Sequence, residues 1–153
     1  AFWKKVTAIN WFGPLHMTHA VAQGMSARGA GRIVNIASDA GRVGSSGEAV
    51  YSGCKGATIA FAKALARELA RKNVTVNTLC PGPTDTEFFA NAGDDGVMRR
   101  RRTITQVVDT TFAGLRAHRP MVVDGPTNAA MALVTRLVPM HLQARFARLV
   151  ATS

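Results

Sequence analysis

Tyr51 and Lys55, four residues apart in Tyr51-Ser-Gly-Cys-Lys55, are the side chains in this sequence best suited to acid–base chemistry. On a helix, positions i and i+4 share a face, so the phenol and the ammonium would point into one cleft. A free phenol has a pKa of about 10, too high to exchange protons readily at neutral pH. A cation held beside it favours the phenolate and lowers that value, which makes Tyr51 a candidate general acid or base. Ser38, thirteen residues upstream, is the third candidate. It ends the short apolar, β-branched run Arg32-Ile-Val-Asn-Ile-Ala37, and a hydroxyl at the carboxyl end of a buried strand opens onto the crevice where open α/β sheets bind ligands.

Three kinds of element must position these groups. The strand expected at about 32–38 is followed by a turn-rich loop, Asp39 to Glu48, whose Gly41, Gly44 and Gly47 read as turn formers because their spacing is not G-x-G-x-x-G. A helix is expected from Glu48 to Lys72, alanine-rich, with Phe61, Leu65 and Leu69 at four-residue steps. Gly53, Gly56, Ala57, Ala60 and Ala64 form a second, small-residue face on it. Val74 to Cys80 reads as the next strand, Thr105 to about His118 as a helix with Val108, Phe112 and Leu115 on one stripe, and 121–124 as a third strand. The alternation predicts βαβ units in a parallel sheet, an α/β, Rossmann-like architecture. Ahead of these, Ala1 to about Ala27 has Val6, Ile9, Phe12 and Leu15 at three-residue steps, with Gly13-Pro14 set to kink or divide the helix.

Ser38 with Tyr51-x-x-x-Lys55 strongly resembles the short-chain dehydrogenase/reductase family. Asn10, in Asn10-Trp-Phe-Gly13, falls where that family has its fourth catalytic residue, and Pro81-Gly82-Pro-Thr84-Asp-Thr86 looks like its Pro-Gly segment beside the nicotinamide. The resemblance implies a doubly wound parallel sheet and hydride transfer between a carbonyl and an alcohol with NAD or NADP as cofactor. Ser38 would hold the substrate oxygen, Tyr51 would move the proton, Lys55 would lower the tyrosine pKa and bind the nicotinamide ribose, and Asn10 would complete a proton relay. Pro81, Gly82, Thr84 and Thr86 would face the cofactor. The family also implies a homodimer or homotetramer through the 48–72 helix.

A complete family member opens with a strand and a T-G-x-x-x-G-x-G turn that cradles the pyrophosphate, a motif absent from this sequence. The expectation is a C-terminal catalytic portion, a fragment whose first strand exposes an apolar edge. Residues 1–153 would form one domain, with an amphipathic helical extension over 126–150 in which Leu142, Phe146 and Leu149 oppose Arg145 and Arg148.

Composition narrows the field further. A chain of 153 residues, 47% of them hydrophobic, is long and apolar enough for one buried core and is not a disordered segment. Cys54 and Cys80 lack C-x-x-C spacing, and His16 and His19 lack a third ligand, so no metal is expected. Reduced thiols suit a cytoplasmic protein. The net charge of +10 comes largely from Arg99 to Arg102 and from arginines between Arg116 and Arg148, and it reads as solvated faces rather than a nucleic-acid site. Two alternatives stand beside the oxidoreductase: an inactive remnant or oligomerisation module, and a basic membrane-surface protein acting through the C-terminal helix.

Overall fold

The computed structural model describes residues 1–87, 101–139 and 141–142. Within them a three-stranded parallel sheet in the order β1-β2-β3 carries helices on both faces. The strands are β1 (Gly31–Ile36), β2 (Val74–Cys80) and β3 (Met121–Val123). The register pairs Gly31 with Val74 through Ile36 with Leu79, then Thr78 with Met121 through Cys80 with Val123. The expected α/β parallel architecture is what the chain adopts. β1 stops at Ile36, two residues earlier than expected, because Ala37 still bonds to Leu79 but Ser38 turns to open the next helix.

The chain begins with α1 (Phe2–Thr7), which runs through a π-helical turn (Ala8–Phe12) into α2 (Gly13–Ala27). The expected break at Gly13-Pro14 is this π turn. Pro14 has no N–H to return to the carbonyl four residues earlier, and the wider turn, closed by Gly13 N–H on the Ala8 carbonyl, absorbs the loss. The extra residue also shifts the buried face. Ile9 and Phe12 are exposed, whereas Val6, Thr7, Asn10, Trp11, Pro14 and Leu15 are half-buried and Thr18 is buried. The three-residue apolar pattern therefore misplaced two side chains.

After β1 come a single helical turn, α3 (Ala40–Val43), and the long α4 (Ala49–Leu69). Alanine's high helix propensity suits α4's length. It ends in a 3-10 turn at Ala70–Lys72 and at Asn73, which sits at φ 53 and donates its side-chain amide to the Gly29 carbonyl at 2.8 Å. A left-handed asparagine is a common helix stop. Phe61, Leu65 and Leu69 are half-buried as their spacing predicts, with Phe61 meeting Trp11 edge to face at 5.7 Å.

Strand alternation assigns the two faces. Ile33, Ala37, Val76 and Cys80 pack beneath α4 with Ile59 and Ala62. Leu79 and Val122 pack on the other side against Val107 of α5 (Ile104–Arg116). Both crossovers step the same way along the sheet but cover opposite faces, so they have opposite hand, and one departs from the usual right-handed rule.

Thr103 caps α5: its hydroxyl accepts from the Gln106 amide at 3.2 Å, and the Gln106 side chain accepts from the Thr103 amide at 3.0 Å. The expected Val108–Phe112 stripe on this helix is exposed. Val107 and Gly114 are buried instead, because Gly114 lets the helix backbone settle directly on Val122. A final helix, α6 (Pro126–Leu137), lies against α3. The expected second half of the C-terminal extension, including Arg145, Phe146, Arg148 and Leu149, lies outside the described residues, as do residues 88–100.

Candidate active site

β1 delivers Ser38 to its carboxyl end, and the following turn is built on that side chain: Ser38 Oγ accepts from the Ala40 amide at 3.2 Å, starting α3. α3 then lies across α4. A Cβ on Gly41 would come within 2.6 Å of the Lys55 carbonyl carbon and 2.7 Å of the Gly56 nitrogen, so this glycine serves close packing rather than a turn. The expectation for Gly44 and Gly47 holds differently, since their φ values of 81 and 79 are glycine conformations. The contact at Gly41 brings the serine-bearing segment against the backbone of the lysine itself.

Tyr51 lies in the first turn of α4, half-buried, and Lys55 follows one turn later. The Lys55 ammonium donates to the Ile36 carbonyl at 3.0 Å and lies 5.5 Å from the centroid of the Tyr51 ring. Because Ala37 N–H binds Leu79, alternate residues of β1 face β2 and the Ile36 carbonyl points to the open edge of the strand. Lys55 thus binds an outward-facing carbonyl of β1 while its ammonium lies over the tyrosine ring.

Electrostatics correct one expectation. Tyr51 was expected to have a lowered pKa, but burial raises it above the ordinary phenol value, with Glu48 adding to the rise and a hydrogen bond with Ser38 opposing it. Lys55 is not the controlling charge. Burial also lowers the Lys55 pKa, against a smaller opposing influence from Cys54. Desolvation is the largest influence on both groups.

The Pro81–Thr86 corner stands next to the serine turn: the Asp39 amide donates to the Pro81 carbonyl at 2.9 Å. Thr84 Oγ1 donates to the Gly82 carbonyl at 3.0 Å, and Thr86 is exposed. Asn10 is reached from another direction. Its side chain donates back to the Val6 carbonyl at 3.0 Å, and its carbonyl, to which Pro14 cannot donate, accepts from the Thr58 hydroxyl at 3.3 Å. Ser38, Tyr51, Lys55 and the corner therefore gather at the carboxyl ends of β1 and β2, while Asn10 meets α4 one turn beyond Lys55.

Several residues near the site had no sequence signal. Asp39 is half-buried, and desolvation raises its pKa against the lowering influence of Arg42. Thr58 is fully buried. Arg102 and Asp124 form an ion pair at 2.9 Å behind the corner. Cys80, pushed up to about 11 mainly by burial, stays a thiol. His16 and His19 are exposed, with His16 stacked on Phe12. Among the described residues no group of three His, Cys, Asp or Glu could hold a metal, and no helix is long and apolar enough to cross a membrane.

The family model for short chain dehydrogenase matches residues 1–96. The chain belongs to the short chain dehydrogenase family. An acetoacetyl-CoA reductase of Shinella zoogloeoides is 48% identical over 86 residues, which are 56% of this chain and 36% of that protein. Nodulation protein G of Azospirillum brasilense is 39% identical over 125 residues, 82% of this chain and 48% of that protein. Among solved structures, a short chain dehydrogenase of Burkholderia cenocepacia J2315 in complex with NADP superposes with a TM-score of 0.78 at 29% identity, covering 94% of this chain and 56% of that one. The chain thus spans between about a third and a little over half of the length of these proteins.

Proposed function

We propose that this chain carries the catalytic residues of an NAD(P)-dependent oxidoreductase that interconverts a small carbonyl compound and an alcohol. The observation that supports this reading most directly is the convergence of Ser38, Tyr51 and Lys55 at the carboxyl end of β1 beside the Pro81–Thr86 corner. The relatives point the same way: one is an acetoacetyl-CoA reductase, and the Burkholderia structure holds NADP.

The residues present fit a nicotinamide cofactor. Gly82 lets Asn128 pack directly on the corner backbone, since a side chain there would run into Asn128, and Thr86 lies exposed beside it. Thr84 and Pro81 shape that backbone, and Lys55, at the open edge of β1, is placed to bind a ribose hydroxyl in exchange for the Ile36 carbonyl. The bound nicotinamide would supply or accept the hydride. Ser38 would hold the substrate oxygen by a hydrogen bond. Tyr51, whose burial keeps its proton at neutral pH, would donate that proton to the oxygen as the carbonyl is reduced. The Lys55 ammonium would then favour the tyrosinate so formed. The Asn10 carbonyl, relayed past Thr58, would connect Lys55 with solvent.

We also propose a homodimer or homotetramer through α4. Gly53, Ala60 and Ala64 are exposed along one line of it, whereas Gly56 of the same small-residue face is already taken up by Gly41. The discriminating experiment is a fluorescence titration of the chain with NADH and NADPH, with Tyr51→Phe as a control that retains binding. Saturation followed by carbonyl turnover that is lost in Tyr51→Phe supports the oxidoreductase. A folded chain that binds neither nucleotide leaves the family membership standing and favours an inactive remnant or oligomerisation module instead.

A further inference from the structure

The cofactor-facing corner has a support on its far side that belongs to none of the residues assigned above. Arg102 forms an isolated parallel bridge with Thr84: its amide donates to the Pro83 carbonyl at 2.9 Å, and its carbonyl accepts from the Asp85 amide at 2.8 Å. The corner is thus paired to a residue that approaches from just before α5.

The side chain of Arg102 fixes where that pairing occurs. Its Nε lies 2.9 Å from Asp124 Oδ2, and Asp124 is fully buried at the end of β3. Its Nη2 donates to Thr110 Oγ1 at 3.1 Å and to the Gln106 carbonyl at 3.3 Å, both on the first turns of α5. A buried carboxylate needs its counter-charge, so Arg102 is held to this position by the cost of leaving Asp124 uncompensated. The backbone of Asp124 is tied in turn. Its amide donates to the Cys80 carbonyl at 3.1 Å, and its carbonyl accepts from Asn128 Nδ2 at 2.8 Å, the same side chain that packs on Gly82.

We infer that Arg102 and Asp124 are positioning residues that hold the Pro81–Thr86 corner in its cofactor-facing geometry. The pair links the corner to β3 and α5, so the corner backbone is held from this side as well as by the Asp39 bond to Pro81. The cofactor part of this inference rests on the proposed oxidoreductase function; the holding of the corner does not.

The test uses Asp124→Asn, which keeps the side-chain shape and removes the charge, and Arg102→Lys, which keeps the charge and removes the fork. Amide hydrogen exchange is followed at Asp85 and Arg102, the two bridge donors, and at Ala37, whose bond to Leu79 lies in the sheet. In Asp124→Asn the two bridge amides should exchange about tenfold faster or more while Ala37 is unchanged, with Arg102→Lys intermediate. NADPH binding by the folded variant should weaken in the same order.

Unchanged bridge amides, or equal acceleration at all three positions, would overturn the inference in favour of a general contribution to stability. If Asp124→Asn does not fold, Arg102→Gln gives the same reading from the partly exposed side of the pair. If the unaltered chain binds no nucleotide, the proposed function falls, and the exchange pattern still decides whether the pair holds the corner.

Discussion

The Lys55 ammonium donates to the Ile36 carbonyl at 3.0 Å and lies 5.5 Å from the centroid of the Tyr51 ring, yet burial rather than this charge dominates the shift of the phenol. Tyr51 is the only tyrosine in the sequence, and phenolate absorbance reads its titration alone. The midpoint is expected above the ordinary phenol value because burial dominates. Ser38→Ala, which removes the hydrogen bond that favours the phenolate, should raise it further, and Glu48→Gln should lower it. A midpoint below 10 in the unaltered chain would contradict the desolvated setting described here.

Asp39 gives a stability prediction of definite sign. Its folded pKa is raised by desolvation, so the stability linked to its protonated form is fully present below the unfolded value of about 4 and is lost as pH rises through the folded pKa. Asp39→Asn imitates the protonated carboxyl. At pH 7 its Tm should exceed that of the unaltered chain by about 2 °C, and at about pH 3, with both groups neutral, the two curves should coincide. Equal melting temperatures at pH 7 would show that Arg42 fully offsets the burial.

Glycines on either side of α4 should respond oppositely to alanine. Gly41→Ala drives a Cβ into backbone atoms of Lys55 and Gly56 at 2.6 to 2.7 Å, which cannot yield by rotating a side chain. A loss of about 1 to 3 kcal/mol is expected from urea denaturation, together with weaker nucleotide binding as Lys55 shifts. Gly53→Ala meets nothing within 4 Å and should gain about 0.5 to 1 kcal/mol in the monomer. If Gly53 lies at the proposed α4 interface, that gain should disappear with rising protein concentration.

These contrasts show where the sequence was legible. The strands at 74–80 and near 121–124 were readable because short β-branched runs bounded by Pro-Gly and Asp-Gly have few other interpretations. Tyr51, Lys55 and Ser38 were readable because helical spacing and a strand end suffice to bring them together. The orientation of α5 was not readable, since its contact depends on the absence of a side chain at Gly114 rather than on an apolar stripe. Nor was the Arg102–Asp124 pair, whose members are 22 positions apart in sequence, one of them in an arginine run with the appearance of a solvated surface. The direction of the Tyr51 shift was missed for a related reason: spacing reports which charges are near, whereas burial reports how much water they have lost.

The same distinction applies to Thr58, a polar residue inside an apolar pattern. Its buried hydroxyl lies 3.0 Å from the Cys54 carbonyl and 3.3 Å from that of Asn10, which has no donor from Pro14. Thr58→Val keeps the shape and takes the hydroxyl away from both carbonyls, at an expected cost of about 1 to 2 kcal/mol. Thr58→Ser should recover most of this, since the hydroxyl returns. The amide of Gly13, which closes the π turn on Ala8, should exchange faster in the valine variant and not in the serine variant. If Thr58→Val matched the unaltered chain in both urea midpoint and Gly13 exchange, the π turn would be held by Pro14 and the helix packing alone, and Thr58 would have no part in presenting the Asn10 carbonyl.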